Sequence, residues 1–238
     1  MFHHQLEGVQ HDLVLLAAKV TEMIPRGTEA LLDLDMAAAQ AIIDGDDDLD
    51  ALTIDIEERC FTLMARQQPV AGDMRAIVTA IRMASEIERS GDLVVNIAKG
   101  ARRIYGAHLP PRIRGLLEAM SQQAQRLFQL AIDAYVEADA DLAGALDDID
   151  DRLDSLHADY IAAILERDED LDLQVAVQLA LIGRYYERIG DHAVNIGERV
   201  RYMVTGWLPE HTGAARAAAR LAGEARAQGR PGEPSESP

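Results

Sequence analysis

Glu88-Arg89-Ser90-Gly91-Asp92-Leu93-Val94-Val95-Asn96-Ile97 and Glu187-Arg188-Ile189-Gly190-Asp191-His192-Ala193-Val194-Asn195-Ile196 are two copies of one pattern in a chain of 238 residues. Glu, Arg, Gly, Asp, Val, Asn and Ile recur at the same spacing in both. Chance is a poor source of so many matches. The copies lie much farther apart than the units of a solenoid, so they mark a duplicated domain.

Working outward from the two copies, helical periodicity covers nearly everything up to Val204. Apolar residues make up 48% of the chain and aromatics only 4%. A core rich in Ala, Leu and Ile with so few aromatics points to helices rather than strands. Pro25-Arg26-Gly27 is expected to kink or split the first helix. Asp44-Gly45-Asp46 is expected to end it and to give the second helix an Asp cap. Gln68-Pro69 and the stretch from Gly106 to Pro111 are further breaks, with acidic turns near Asp139 and from Asp168 to Asp172. The predicted helices are 4–43, 46–67, 70–105, 112–139, 143–167 and 173–204. The expected fold is therefore all-α, two tandem, pseudo-symmetric three-helix bundles over 1–107 and 108–208. Residues 209–238 turn to Ala, Arg, Gly, Pro, Glu and Ser, and read as a disordered tail.

Glu88 and Asp92 are four residues apart and share one helix face, as do Glu187 and Asp191. Met74, Val78 and Ile81 lead into the first pair at helical steps, so the acids are expected to interrupt a core stripe. Folding each half as a hairpin adds a second pair to each. A turn at Pro69 brings Asp50 level with Glu88 and Asp46 with Asp92. A turn between Asp170 and Leu171 brings Asp154 level with Glu187 and Asp150 with Asp191. Four carboxylates at one level repel, and protons, arginines or a metal must neutralise them. Oxygen ligands suit Mg, Ca, Mn or Fe. An ordinary charged helix face, with Arg89 and Arg188 as counter-charges, is the alternative reading. Gly91 and Gly190 inside helices imply close helix approach beside the acids.

Other chemistries lack their signatures. There is no phosphate loop, no Cys/His zinc pattern and no Glu-x-x-His pair on two helices. His192 reads as a flanking polar residue, and Asp154 with His157 lacks a nucleophile. Cys60 is the only cysteine. It excludes an intrachain disulfide and reads as a small core residue. The net charge of −18 argues against nucleic acid and for cations or basic protein surfaces as partners. No signal peptide or spanning segment is apparent, so a cytoplasmic protein is expected, at a membrane only through partners.

Gln68-Pro69-Val70-Ala71-Gly72-Asp73-Met74-Arg75 followed by Glu88-Arg89-Ser90-Gly91-Asp92 resembles the first-half signature of the PhoU family. The segment from Glu187 to Ile196 resembles the second, and the likeness covers roughly residues 3–204. Ser90 departs from it, since the family usually has an apolar residue there. The resemblance implies two three-helix bundles, no enzymatic activity, and a homodimer. It further implies negative regulation of phosphate uptake and starvation genes, through the ATPase of the phosphate ABC transporter and a sensor histidine kinase. Some relatives hold multinuclear iron or zinc clusters through E/D-x-x-x-D motifs, which Glu88/Asp92 and Glu187/Asp191 match, while others are metal-free. A carboxylate-bridged metal-binding protein or metalloenzyme is the alternative.

Overall fold

The computed structural model describes residues 2–166 and 172–207. They form α1 (Phe2–Leu32), α2 (Met36–Asp44), α3 (Asp46–Gln67), α4 (Ala71–Arg103), α5 (Pro111–Glu137), α6 (Ala140–Leu165) and α7 (Leu173–Thr205). No strand occurs among the described residues. The all-α fold of two three-helix bundles is the one adopted. Helices α1, α3 and α4 make the first, with short α2 lying on α1 and α4, and α5, α6 and α7 make the second. The expected tail and the turn centred between Asp170 and Leu171 lie outside the described residues.

Local chemistry sets most of the boundaries. Gln68 takes the left-handed conformation ahead of Pro69 and stops α3. Gly106, at φ +83°, turns the chain toward Pro110-Pro111, where α5 starts. The Asp139 side chain accepts from the N–H groups of Asp141 and Leu142 at the start of α6. Asp172 accepts from Gln174 and Val175 at the start of α7. These are Asp caps of the usual kind.

Two expectations need correction. The first helix is divided at Asp33-Leu34-Asp35, not at Pro25. Leu34 is left-handed, and the Asp35 carboxylate caps Ala37 and Ala38 to open α2. The cap at 44–46 is Gly45, with no side-chain bond, and Asp46, Asp47 and Asp48 occupy the first turn of α3. There they favour the helix through its dipole rather than by capping.

Helix α1 runs through Pro25 because its neighbours compensate for it. Proline has no N–H, so the carbonyl of Thr21 four residues earlier loses its helical partner. Gln125 Nε2 of α5 donates to that carbonyl at 3.3 Å. Gly27 is buried and lets Val94 of α4 come close, since a Cβ there would sit 2.8 Å from Val94 Cγ1. Farther along α1, Thr28 Oγ1 lies 2.6 Å from Ser121 Oγ of α5. Arg114 Nη1 of α5 donates to the carbonyl of Leu32. Contacts at 21, 28 and 32 thus meet 125, 121 and 114 in reverse order, so α1 and α5 are antiparallel. One apolar core runs through both bundles. Cys60 is in it, fully buried, with burial pushing its thiol up to about 11.

The contact between Gln125 and the Thr21 carbonyl is testable as a cycle. Gln125→Ala should cost about 1 kcal/mol, because a part-buried carbonyl loses its donor. In a Pro25→Ala background, residue 25 regains an N–H, and the same change should cost less than about half as much. Urea unfolding of the four proteins measures both costs, and equal values in the two backgrounds would refute the assignment.

Candidate carboxylate clusters at the helix crossing

Helices α4 and α7, the last of each bundle, cross antiparallel. Arg75 Nε donates to the carbonyl of Met203 at 3.2 Å, and Thr79 Oγ1 to that of Arg199 at 3.3 Å. At the other end, Arg103 Nη1 donates to Gln178 Oε1 at 3.4 Å. The two signature segments therefore fall at the middle of the crossing.

Beside each segment a helix packs closely over a glycine. A Cβ on Gly91 would lie 3.0 Å from Leu49 Cδ1 of α3. A Cβ on Gly190 would lie 2.7 Å from Leu153 Cδ2 of α6 and would run into Asp150 Oδ1. Leu49 sits between Asp46 and Asp50 in sequence, and Leu153 between Asp150 and Asp154. The leucine seats in the glycine notch and brings its flanking acids to the signature helix.

In the first cluster, burial raises the pKa of Asp46, and the charges of Asp92 and Asp50 raise it further. Glu88 is pushed up to about 7, first by burial, then by Asp92 and Asp50. In the second, Asp150 is pushed up to about 7 by burial, then by Asp154 and Asp191. The charge of Asp92 thus reaches Asp46, that of Asp50 reaches Glu88, and that of Asp191 reaches Asp150. Glu187 is engaged differently: it pairs with Arg184, one turn earlier on its own helix.

The acids do not interrupt the core stripe. On α4 the buried line is Ile77, Ala80, Ala84, Ile87, Gly91, Val94 and Ala98. Met74, Val78 and Ile81 run along its margin, and the acids lie at that border. Asp46, Glu88, Asp150 and Glu187 are half-buried, while Asp50, Asp92, Asp154 and Asp191 are exposed. One of each pair is thus partly stripped of water and the other remains in it.

An oxygen-only donor set of this kind suits a hard cation, and Asp150 Oδ1 is buried without a hydrogen-bond partner. The carboxylates nevertheless do not converge. Among the described residues, no three His, Cys, Asp or Glu side chains stand close enough together to hold one ion.

Sequence reading missed a polar contact beside the clusters. Glu86 Oε2 of α4 lies 2.6 Å from His192 Nδ1 of α7 and accepts from Asn195 Nδ2 at 3.1 Å. His192 is buried, at 7% exposure, not a flanking polar residue. Glu86 is held below the usual carboxylate range by His192 and Asn195, which outweigh its burial. By the repeat, Glu86 corresponds to Tyr185 and His192 to Leu93. A signal was present in that mismatch, since both members depart from their counterparts.

The raised acids set the sign of a pH effect. Between the ordinary carboxylate range and about 7, the folded chain holds protons on Glu88 and Asp150 that the unfolded chain has lost. Their contribution to stability is complete below pH 4 and is lost as pH rises through about 7. We expect Glu88→Gln and Asp150→Asn, with chelator present, to raise stability at pH 8 by on the order of 1 kcal/mol each, after allowance for solvent screening. They should have little effect at pH 4.5. Thermal unfolding across this range checks it; an equal effect at both pH values would count against it.

The chain matches the PhoU domain family model twice, over residues 13–101 and 117–200. It is 36% identical over 210 residues to the phosphate-specific transport system accessory protein PhoU homolog 1 of Mycobacterium tuberculosis, covering 88% of this chain and 95% of that protein. The crystal structure of PhoU from Pseudomonas aeruginosa superposes with a TM-score of 0.81 at 29% identity, over 87% of this chain and all of the other. The phosphate transport system regulatory protein PhoU from Streptococcus pneumoniae shares the fold, with a TM-score of 0.81 at 24% identity, over 87% of this chain and 99% of that one. With both copies of its repeat matched and nearly all of its helical body covered, the chain belongs to the PhoU family.

Proposed function

We propose that this protein is a non-enzymatic accessory regulator of phosphate transport. In this reading it acts in the cytoplasm as an adaptor, joining the ATPase subunit of a phosphate ABC transporter to the sensor histidine kinase of a phosphate two-component system. It restrains uptake and starvation genes when phosphate is ample. The observation that carries the reading is the match of both repeats to the PhoU domain, with relatives named as accessory proteins of phosphate-specific transport. Among the described residues no helix is long and apolar enough to cross a membrane, which agrees with membrane contact through partners.

The physical means is protein contact. Asp50, Asp92, Asp154 and Asp191 are exposed on a chain of net charge −18. Such a surface steers basic partner faces toward it, and does so less as salt rises. Deleting the protein should derepress phosphate-starvation genes in rich phosphate, read by transcript levels. A pull-down from phosphate-replete cells should recover the transporter ATPase and the kinase, and an Asp92→Asn, Asp191→Asn variant should recover less of both. Unchanged transcripts in the deletion strain would refute the regulatory role.

A second reading, a carboxylate-bridged metal-binding protein or metalloenzyme, is favoured by the buried, unpartnered Asp150 Oδ1. Iron or zinc, or otherwise Mg, Mn or Ca, would then occupy the clusters after their side chains close inward. Elemental analysis of protein purified without chelator should find metal that a Glu88→Ala, Asp92→Ala variant holds less of. Metal-free protein would remove this reading and leave the adaptor intact.

A further inference from the structure

Charge is shared unevenly among the helices. The flanking helices are strongly acidic: α3 carries two arginines against seven acids, and α6 one against seven. The two central helices reverse the balance. Helix α4 carries six arginines and lysines against four acids, and α7 four against three. The crossing of α4 on α7 is therefore net positive on a chain of net charge −18.

The excess is ordered along the outer side of that crossing. On α4, Thr79 and Glu86 both reach α7, the first at the Arg199 carbonyl and the second at His192 and Asn195. Arg82 and Arg89 continue the same line at steps of three and four residues, and both are exposed. On α7, Arg188 stands four residues before His192 on the same face and is also exposed. The acid on this line, Glu86, is engaged by His192 and Asn195.

Apolar side chains join the stripe. Ile182 approaches Gly100 of α4, while Gly183 approaches Tyr160 of α6. Leu181 lies about 100° back around the helix from Ile182, on the side away from α6, and is 41% exposed. It stands two turns before Arg188 and shares its face. Val177, one turn earlier, is 51% exposed.

Exposed arginines beside exposed aliphatic side chains suit a partner that is apolar along one line and anionic along its edges. The flanks set its width. Asp50 and Asp92 stand toward α3, and Asp154 and Asp191 toward α6, all exposed. A broad anionic surface, such as a bilayer or a duplex, would meet these acids as well as the arginines. A single helix, about 10 Å wide, lies along the seam between them.

We propose that the outer face of the α4–α7 crossing docks an acidic amphipathic helix of a partner protein. Its carboxylates meet Arg82, Arg89 and Arg188, and its apolar stripe covers Leu181 and Val177, the helix-in-groove mode of recognition. The face is separate from the carboxylate clusters, and the proposal does not rest on the adaptor reading.

Fluorescence anisotropy on the full chain tests it, with labelled synthetic helices of about twenty residues. One has leucine along a single face flanked by glutamate, a second has lysine in place of the glutamate, and a third has serine in place of the leucine. We expect saturable binding of the first, weakened by salt, and none of the other two. Arg82→Glu with Arg188→Glu should weaken binding about tenfold or more. Leu181→Ser should weaken it with no change of net charge. Arg66→Glu with Arg126→Glu makes the same change of net charge at exposed positions on α3 and α5, and should change nothing. Circular dichroism checks that each variant is folded, and Arg188→Gln is the milder change should the double reversal not fold. No binding of the glutamate helix, equal binding of the lysine helix, or an equal loss in the Arg66→Glu, Arg126→Glu protein would overturn the proposal. So would tighter binding of phosphatidylglycerol vesicles or duplex DNA that the Arg82→Glu, Arg188→Glu protein loses. Sedimentation showing that this face joins two copies of the chain would overturn it as well.

Discussion

The crossing of α4 on α7 constrains everything else in the molecule. Two long helices, each closing its own bundle, lie antiparallel and exchange contacts from Arg75 and Met203 at one end to Arg103 and Gln178 at the other. Each signature segment sits at the midpoint of the shared seam. Close approach is set by small residues. A Cβ on Gly100, for example, would lie 2.9 Å from Ile182 Cδ1 across the seam. The α1–α5 contact repeats the arrangement at a second seam, so each bundle meets the other through equivalent helices.

Around that crossing the acids are placed with economy. A leucine from the neighbouring helix seats on a glycine in each half, and its flanking aspartates follow it to the border of the core. The result is one half-buried and one exposed carboxylate on each helix, close enough to raise Asp46, Glu88 and Asp150 above the ordinary range. Repulsion among them is borne by packing that does not depend on charge. The exposed acids keep their water and add to the long-range negative field of the chain.

Much of this was legible in the sequence, for identifiable reasons. The duplicated segment is long enough to fix the pseudo-symmetry. Pro69 and the 106–111 break fix the hairpins, and the i, i+4 acids then fall on facing helices by register alone. The division of the first helix was not legible as expected, since Pro25 is a stronger breaker on paper than Asp33-Leu34-Asp35. Its missing N–H is answered by Gln125, about a hundred residues away in another bundle, and no local rule reports such a partner. The depth of the acids was misjudged for a related reason. Periodicity finds a helix face, but whether that face lies at the centre or the margin of the core depends on the angle at which α3 and α6 arrive. The pairing of Glu86 with His192 required knowing that α4 and α7 run antiparallel, which the repeat alone does not state.

That last contact says something about descent. In a half-length ancestor pairing with its own twin about a twofold axis, position 86 and position 185 would be one residue, as would positions 93 and 192. Any acid–imidazole contact would then occur on both sides of the axis or on neither. Here one side has Glu86 with His192, and the equivalent positions hold Tyr185 and Leu93. Such lopsidedness becomes available only once the two halves are encoded separately, so the fused gene permits a handed molecule where a paired ancestor was bound to symmetry.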